Sequence, residues 1–132
     1  MREVKLPSGA TLKIGLAPFA DSKALYQALL AEGKGIELNA GTDTVSLFKQ
    51  FFCSGFSSKE IEQCLWKCME RCTYNGGKGD LKIDQDTFEP VEAREDFLVV
   101  CIEVGKENVS PFLKSLFVEY ERFLAMMPNI QT

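Results

Sequence analysis

The sequence predicts a mainly helical α+β protein, in which an N-terminal β-hairpin is followed by about five helices in a single compact domain. Two short stretches near the N-terminus alternate polar and apolar residues around a Pro-Ser-Gly turn, as paired strands do. Most of the remaining chain repeats apolar residues at the three- and four-residue spacing of helices. The length of 132 residues, 45% of them hydrophobic, suits one domain with its own core.

The hairpin is predicted within residues 1–16. Glu3 to Leu6 and Thr11 to Ile14 alternate with period two, and Gly9 between them can adopt the positive φ that such turns need. An isolated hairpin is marginal in water, so its apolar face must pack against the rest of the chain. That face would carry Val4, Leu6, Leu12 and Ile14.

Residues 17–127 form the predicted helical body, in which each helix has a polar cap or proline at its start and an apolar stripe. A small second hairpin is predicted near residues 73–83, where Tyr74 and Ile83 flank a glycine-rich turn. The first helix is capped by Asp21 or Ser22 and ends at Gly33, and the second runs from Thr42–Thr44 to Cys53. The third begins at a capping box of Ser57 and Glu60 and ends at about Cys72. The fourth runs from about Pro90 to Val104, and the fifth begins at the cap Ser110 and ends at Pro128.

The composition excludes several classes of function. The chain has no histidine, which removes imidazole-based nucleophilic catalysis and zinc sites with imidazole ligands. Its formal net charge of −4 disfavours nucleic acid as a partner. No signal peptide and no run of about 20 apolar residues is visible, so neither export nor a membrane partner is expected. Five cysteines in such a chain predict reduced thiols in the cytoplasm.

Three of these cysteines, Cys64, Cys68 and Cys72, are spaced by four and share one helical face. Thiolates can bind a soft metal, but three ligands from one helix rarely complete a tetrahedral site. Small apolar side chains on the stripe that also holds Ile61 and Leu65 explain the pattern more simply. We therefore expect core packing, with a cysteine-based metal or redox site as the alternative.

Two loops superficially match known ligand motifs. The Gly76 to Asp80 loop lacks the spacing of a phosphate-binding loop and precedes a short strand where such a loop would open a helix. The loop beginning at Asp84 has a glutamate at the twelfth calcium-loop position, Glu95, but Glu89 stands where the glycine is required. Both are expected to be turns, and no metal or cofactor is predicted.

No residue pattern indicates catalysis. The 19 acidic residues offer many carboxylate pairs, but nothing selects two of them. The sequence therefore predicts a protein that is not an enzyme.

The last helix has more apolar residues than one buried face requires. Residues 113, 117 and 124 form one line along it, and residues 116, 120, 123 and 127 form another. Surplus apolar surface of this kind is typical of a site for a protein partner, and burial in the core is the alternative. The candidate partner-binding residues are Leu116, Phe117, Tyr120, Phe123 and Met127. Self-association through the same face is also expected.

Several stretches of the chain resemble tail assembly chaperones of long-tailed bacteriophages and related prophages. They lie in the hairpin, in the first helix and in the second half of the chain, and they carry no catalytic residues. The stretches are Leu6 to Ala10, Leu12 to Ile14, Ala17 to Asp21, Lys23 to Tyr26, Arg94 to Phe97 and Asn108 to Leu113.

The resemblance implies a small, mostly helical protein of the host cytoplasm that performs no chemistry. Members of that family are thought to hold the tape measure protein, to recruit tail tube subunits during tail assembly, and to be absent from the mature virion. The resemblance transfers no individual binding residue. A structural tail component that stays in the virion is the main alternative.

Overall fold

The structure is a computed structural model that describes residues 2–32 and 58–126, without the side chains of Glu32, Phe117, Tyr120, Phe123 and Leu124. These residues form a mainly helical α+β fold with a four-stranded antiparallel sheet and three α-helices. The elements are β1 Arg2–Lys5, β2 Thr11–Ile14, α1 Phe19–Glu32, α2 Lys59–Met69, β3 Thr73–Asn75, β4 Leu81–Lys82, a 3-10 helix Gln85–Phe88 and α3 Val91–Met126.

The N-terminal hairpin is confirmed, and its turn has a simple physical basis. Gly9 adopts a φ of 93° and donates its N–H to the Leu6 carbonyl, while the Leu6 N–H donates to the Ala10 carbonyl. Only glycine adopts this conformation without strain. Leu6, Leu12 and Ile14 are buried and Val4 is half-buried, as the period-two pattern predicts.

The second hairpin is also confirmed, and it joins the first in one sheet of order β1-β2-β3-β4. The sheet is continuous because β2 pairs with β3, with Leu12 opposite Tyr74. Sequence patterning did not predict the pairing of β2 with β3, because the paired residues are more than 60 positions apart.

α1 and α2 begin at residues other than those predicted. α1 starts at Phe19, so Asp21 lies in its first turn and Ser22 is buried and bonded to another helix. The cap of α2 is Ser58, whose hydroxyl accepts the Ile61 N–H, and the helix ends at Met69 before Cys72. The helix predicted between residues 42 and 53 lies outside the described residues.

The prediction of about five helices is wrong in the second half of the chain. The predicted helices Pro90 to Val104 and Ser110 to Pro128 are one continuous helix, α3, with Pro111 in its interior. Gly105, Val109 and Leu113 are all buried, so the apolar stripe continues through the predicted break between Val104 and Ser110. An interior proline costs about 3 kcal/mol. Burial of two aliphatic side chains at about 1.5–3 kcal/mol each offsets that cost.

One hydrophobic core joins the inner face of the sheet to all three helices. An aromatic cluster in this core packs Phe88 against Tyr74 and the half-buried Trp66 and Phe97, with ring centroids 5.1–6.0 Å apart. Within the described residues, no helix has the length and apolar character needed to cross a membrane.

Candidate partner-binding surface

The predicted partner-binding residues lie at or beyond the last buried turn of α3. Leu113 is the last buried residue of the helix among those whose side chains are described, and Leu116 is half-buried one turn later. Phe117, Tyr120 and Phe123 have helical backbone, but their side chains are outside the described part of the structure. Met127 also lies outside it.

An exposed apolar surface adjoins Leu116 and was not predicted as a site. Leu16 is 64% exposed and Phe19 is 69% exposed. The Phe19 ring lies 5.9 Å from that of Phe112, which stacks on Tyr26 at 5.0 Å. Leu116 follows Phe112 by four residues and therefore shares its side of α3. We call Leu16, Phe19, Phe112 and Leu116 the Phe19–Phe112 surface.

Tyr26 supports this surface from the core side. Its ring packs against the buried cluster and stacks on Phe112. Partial burial raises the pKa of the Tyr26 phenol, so the group is neutral at physiological pH. The surface is therefore backed by an uncharged aromatic layer.

Asn108 positions the two halves of the surface. It is 2% exposed, and its Oδ1 accepts the Ala17 N–H and the Ser22 hydroxyl, each at 2.9 Å. Its Nδ2 donates to the Val104 carbonyl at 2.9 Å. These bonds hold α3 against the start of α1, which is why Phe112 lies beside Phe19.

Asp96 forms a second buried polar contact at the other end of the sheet. Its carboxylate is fully buried and accepts the N–H and the hydroxyl of Ser8 and the Tyr74 hydroxyl. Burial and the bond to Asp96 raise the pKa of Tyr74, which keeps the phenol protonated as a donor. Asp96 thereby attaches the turn of the first hairpin to α3.

Together these contacts join segments that are far apart in the sequence. The stretch from Leu6 to Ala10 meets the one around Asp96, and the stretch from Ala17 to Asp21 meets the one around Asn108. Most of these residues therefore have a structural role in the fold. Phe19 is different, because it belongs to one of these stretches yet points mostly into solvent.

Sequence reasoning placed Asp96 among the acidic residues at a helix start and missed its burial. The available signal was its spacing, because Asp96 and Asn108 fall on the stripe of Ala93, Val100 and Val104. A polar residue on an apolar stripe indicates a buried, hydrogen-bonded side chain.

The cysteines pack as predicted. Cys68 and Cys72 are buried and Cys64 is half-buried, and burial raises the pKa of Cys68 and of Cys101 to about 12. Protonated, buried thiols are poor nucleophiles and poor metal ligands. Within residues 2–32 and 58–126, no group of three or more Cys, Asp or Glu side chains is arranged to hold a metal ion. Cys53 lies outside these ranges.

A groove of about 830 Å³ lies between the turns of the two hairpins and the start of α3. Its lining includes Gly76, Gly77 and Lys78, which form a turn that leads into a strand, as expected for a loop that does not bind phosphate. Lys5 and Lys78 are balanced by Asp86 and Glu92, so the groove has no dominant charge.

The Asp84 loop is a turn as well. The Asp84 carboxylate accepts the Thr87 N–H at 3.1 Å and caps the 3-10 helix, and the Asp84 N–H donates to the Thr87 hydroxyl. This reciprocal capping accounts for the position of Asp84 without a ligand.

The chain was also compared with known proteins. No protein-family model, curated protein or solved structure matches it.

Proposed function

We propose that this protein is a non-enzymatic tail assembly chaperone, which binds a tape measure protein and recruits tail tube subunits during phage tail morphogenesis. It would act in the host cytoplasm and be absent from the finished virion. The observation that carries the proposal is the Phe19–Phe112 surface, where large apolar side chains remain exposed or half-exposed beside the core of the described residues.

The chemistry of this surface suits a helical client. A client helix with an apolar stripe would bury Leu16, Phe19 and Leu116, which the described helices leave exposed or half-exposed. Aromatic side chains at such a surface contribute strongly to binding, because each buries a large area and loses little conformational entropy. The surface is attached to the body by the buried bonds of Asn108, so it is formed before a client arrives.

Resemblance to the chaperone family supports the same function independently. The stretches that carry it are Leu6 to Ala10, Leu12 to Ile14, Ala17 to Asp21, Lys23 to Tyr26, Arg94 to Phe97 and Asn108 to Leu113. Four of them meet in pairs in the fold.

The test is co-expression of the tagged chain with the tape measure protein from the same genome, followed by affinity purification. Wild type should co-purify with the tape measure protein, and Phe19→Ser should reduce the recovered amount at least about tenfold, as expected for loss of an aromatic anchor. Val91→Ser is the matched control, because Val91 is 71% exposed and lies about 31 Å along α3 from Phe112. It should bind like wild type.

Phe117→Ser and Tyr120→Ser extend the test to the residues predicted from sequence. Each should reduce co-purification while the circular dichroism spectrum stays unchanged. Loss of folding would place these rings in the core instead. Wild-type chain that does not bind the tape measure protein, or chain found by mass spectrometry in purified particles, would contradict the chaperone function and favour a structural tail component.

A further inference from the structure

The first strand of the sheet has an open edge. Within the described residues β1 pairs only with β2, and its other side contacts no strand. The Leu6 N–H bonds to Ala10, so by the alternation of an antiparallel ladder Val4 and Arg2 also bond towards β2. The backbone N–H and C=O groups of Glu3 and Lys5 therefore point outward from the sheet.

The side chains on this edge have opposite charges at the two outward-bonding positions. Glu3 is exposed and makes only a long 3.8 Å contact with Lys13, and Lys5 is exposed with its ammonium donating to the Thr11 hydroxyl. Val4 between them faces the core side and is half-buried. Along this edge an acidic, an apolar and a basic residue therefore follow one another.

We propose that β1 pairs antiparallel with β1 of a second copy of this chain, with Val4 opposite Val4. In that register Glu3 of each copy lies opposite Lys5 of the other, so both cross-strand charge pairs are favourable. The same two positions carry the outward backbone groups, so the pairing forms four inter-chain hydrogen bonds without altering the hairpin. The backbone hydrogen bonds and the charge pairs therefore favour the same register.

The pairing also extends the apolar row of the sheet. Val4, Leu12 and Tyr74 lie opposite one another across β1, β2 and β3. Joining two copies at Val4 makes this row continuous through an eight-stranded sheet. The edges that remain are the two β4 strands, which have two residues each and are too short to add further strands readily.

A second copy fits this edge better than an unrelated peptide. A two-fold axis at Val4 matches each outward residue with its own complement, which is the requirement for an isologous interface. The proposal concerns a surface at the opposite end of the chain from residues 116–127 and does not depend on the chaperone function.

Analytical ultracentrifugation of the full chain over a range of concentrations tests the pairing. Wild type should show a monomer–dimer equilibrium. Glu3→Lys places lysine opposite lysine, and Lys5→Glu places glutamate opposite glutamate, so each should raise the dissociation constant at least about tenfold. An equimolar mixture of the two variants should form heterodimers, and the double variant Glu3→Lys with Lys5→Glu should recover the wild-type constant.

Two further variants separate this edge from other surfaces. Glu3→Pro removes an outward N–H without touching the bonds to β2, so it should abolish the dimer while the hairpin remains folded. Lys82→Glu changes a charge on the same face at the other edge of the sheet and should leave the dimer unchanged. A monomeric wild type at all concentrations, or dimers that persist in Glu3→Pro and in both single reversals, would overturn the proposal.

Discussion

The two parts of α3 have opposite surroundings, although they belong to one continuous helix. From Val91 to Leu113 the helix has a buried stripe and two buried polar contacts, Asp96 and Asn108. From Lys114 to Met126 every side chain that the structure describes is exposed or half-exposed. A helical segment that short is marginal in water by itself. The comparison teaches that the first part stabilises the fold through buried side chains, whereas the side chains described in the second part contribute little burial.

The largest expected effect follows from removing the Asp96 carboxylate. Asp96→Ala leaves the buried Tyr74 hydroxyl without an acceptor and removes the acceptor of the Ser8 N–H, which should lower the free energy of unfolding by about 2–4 kcal/mol. Urea denaturation followed by circular dichroism measures the loss. The neighbouring exposed Glu95→Ala should change it by less than about 0.5 kcal/mol. If the two variants lowered the free energy of unfolding equally, the buried contact of Asp96 would stabilise the fold no more than a surface charge does, which would contradict the structure.

A matched pair of leucines compares the two parts of the helix directly. Leu113 is 1% exposed, so Leu113→Ala should cost about 2–4 kcal/mol through lost burial and a cavity. Leu116 is half-buried, and Leu116→Ala should cost less than about 1 kcal/mol. Thermal unfolding of both variants beside wild type provides the measurement. A larger loss in Leu116→Ala would show that the core extends beyond Leu113.

Asn108→Ala should have an intermediate effect. It removes the acceptor of the Ala17 N–H and the Ser22 hydroxyl, at a cost of about 2 kcal/mol. Asn108 also positions Phe112 beside Phe19. Asn108→Ala should therefore weaken client binding more than Leu113→Ala does, when the two are compared at equal loss of free energy of unfolding. Urea midpoints and the co-purification assay, performed on the same preparations, separate the two effects. Binding that follows stability alone would argue against a positioning role.

The smallest expected effect concerns thiol reactivity. At pH 8.5 iodoacetamide should alkylate half-buried Cys64 at least about tenfold faster than Cys68 or Cys101, whose pKa values of about 12 keep them protonated. Mass spectrometry of digested peptides measures the rates. Comparable labelling of all three thiols in folded protein would contradict the packing of this core.

The same thiols predict how stability depends on pH. Folding raises the pKa of Cys68 and Cys101 above the ordinary value of 9.0, so the protonated thiols are favoured in the folded state. Their contribution is complete below pH 9 and is lost as the pH rises towards 12. Urea midpoints measured between pH 8 and 11 should fall less steeply in Cys101→Ala than in wild type.

Local patterns predicted the elements that depend on near neighbours. The first hairpin follows from period-two alternation and the second from its glycine-rich turn, and Gly9, Gly77 and Gly79 adopt positive φ. The packing role of Cys68 follows from the four-residue spacing on α2. These features need only the geometry of one strand or one helix.

Features that depend on distant residues were not predicted. Gly105 and Pro111 indicated a helix boundary, but burial of Val109 and Leu113 against other elements outweighed that local preference. Asp96 had the sequence environment of a solvated acid, and only its contact with Tyr74 and Ser8 makes it a core residue. Exposure of Phe19 likewise depends on how α1 meets α3. The candidate surface therefore required the tertiary structure.

The bonds between the N-terminal segment and α3 also set the order in which the chain can fold during synthesis. Ser8 bonds to Asp96, Ala17 to Asn108, and Arg2 to Glu103 and Glu107, so each contact spans 88 to 105 residues. Contacts this distant form slowly, because a long loop must close before they are made. β1 and β2 are therefore synthesised well before α3, and their bonds to α3 can form only after α3 has been translated.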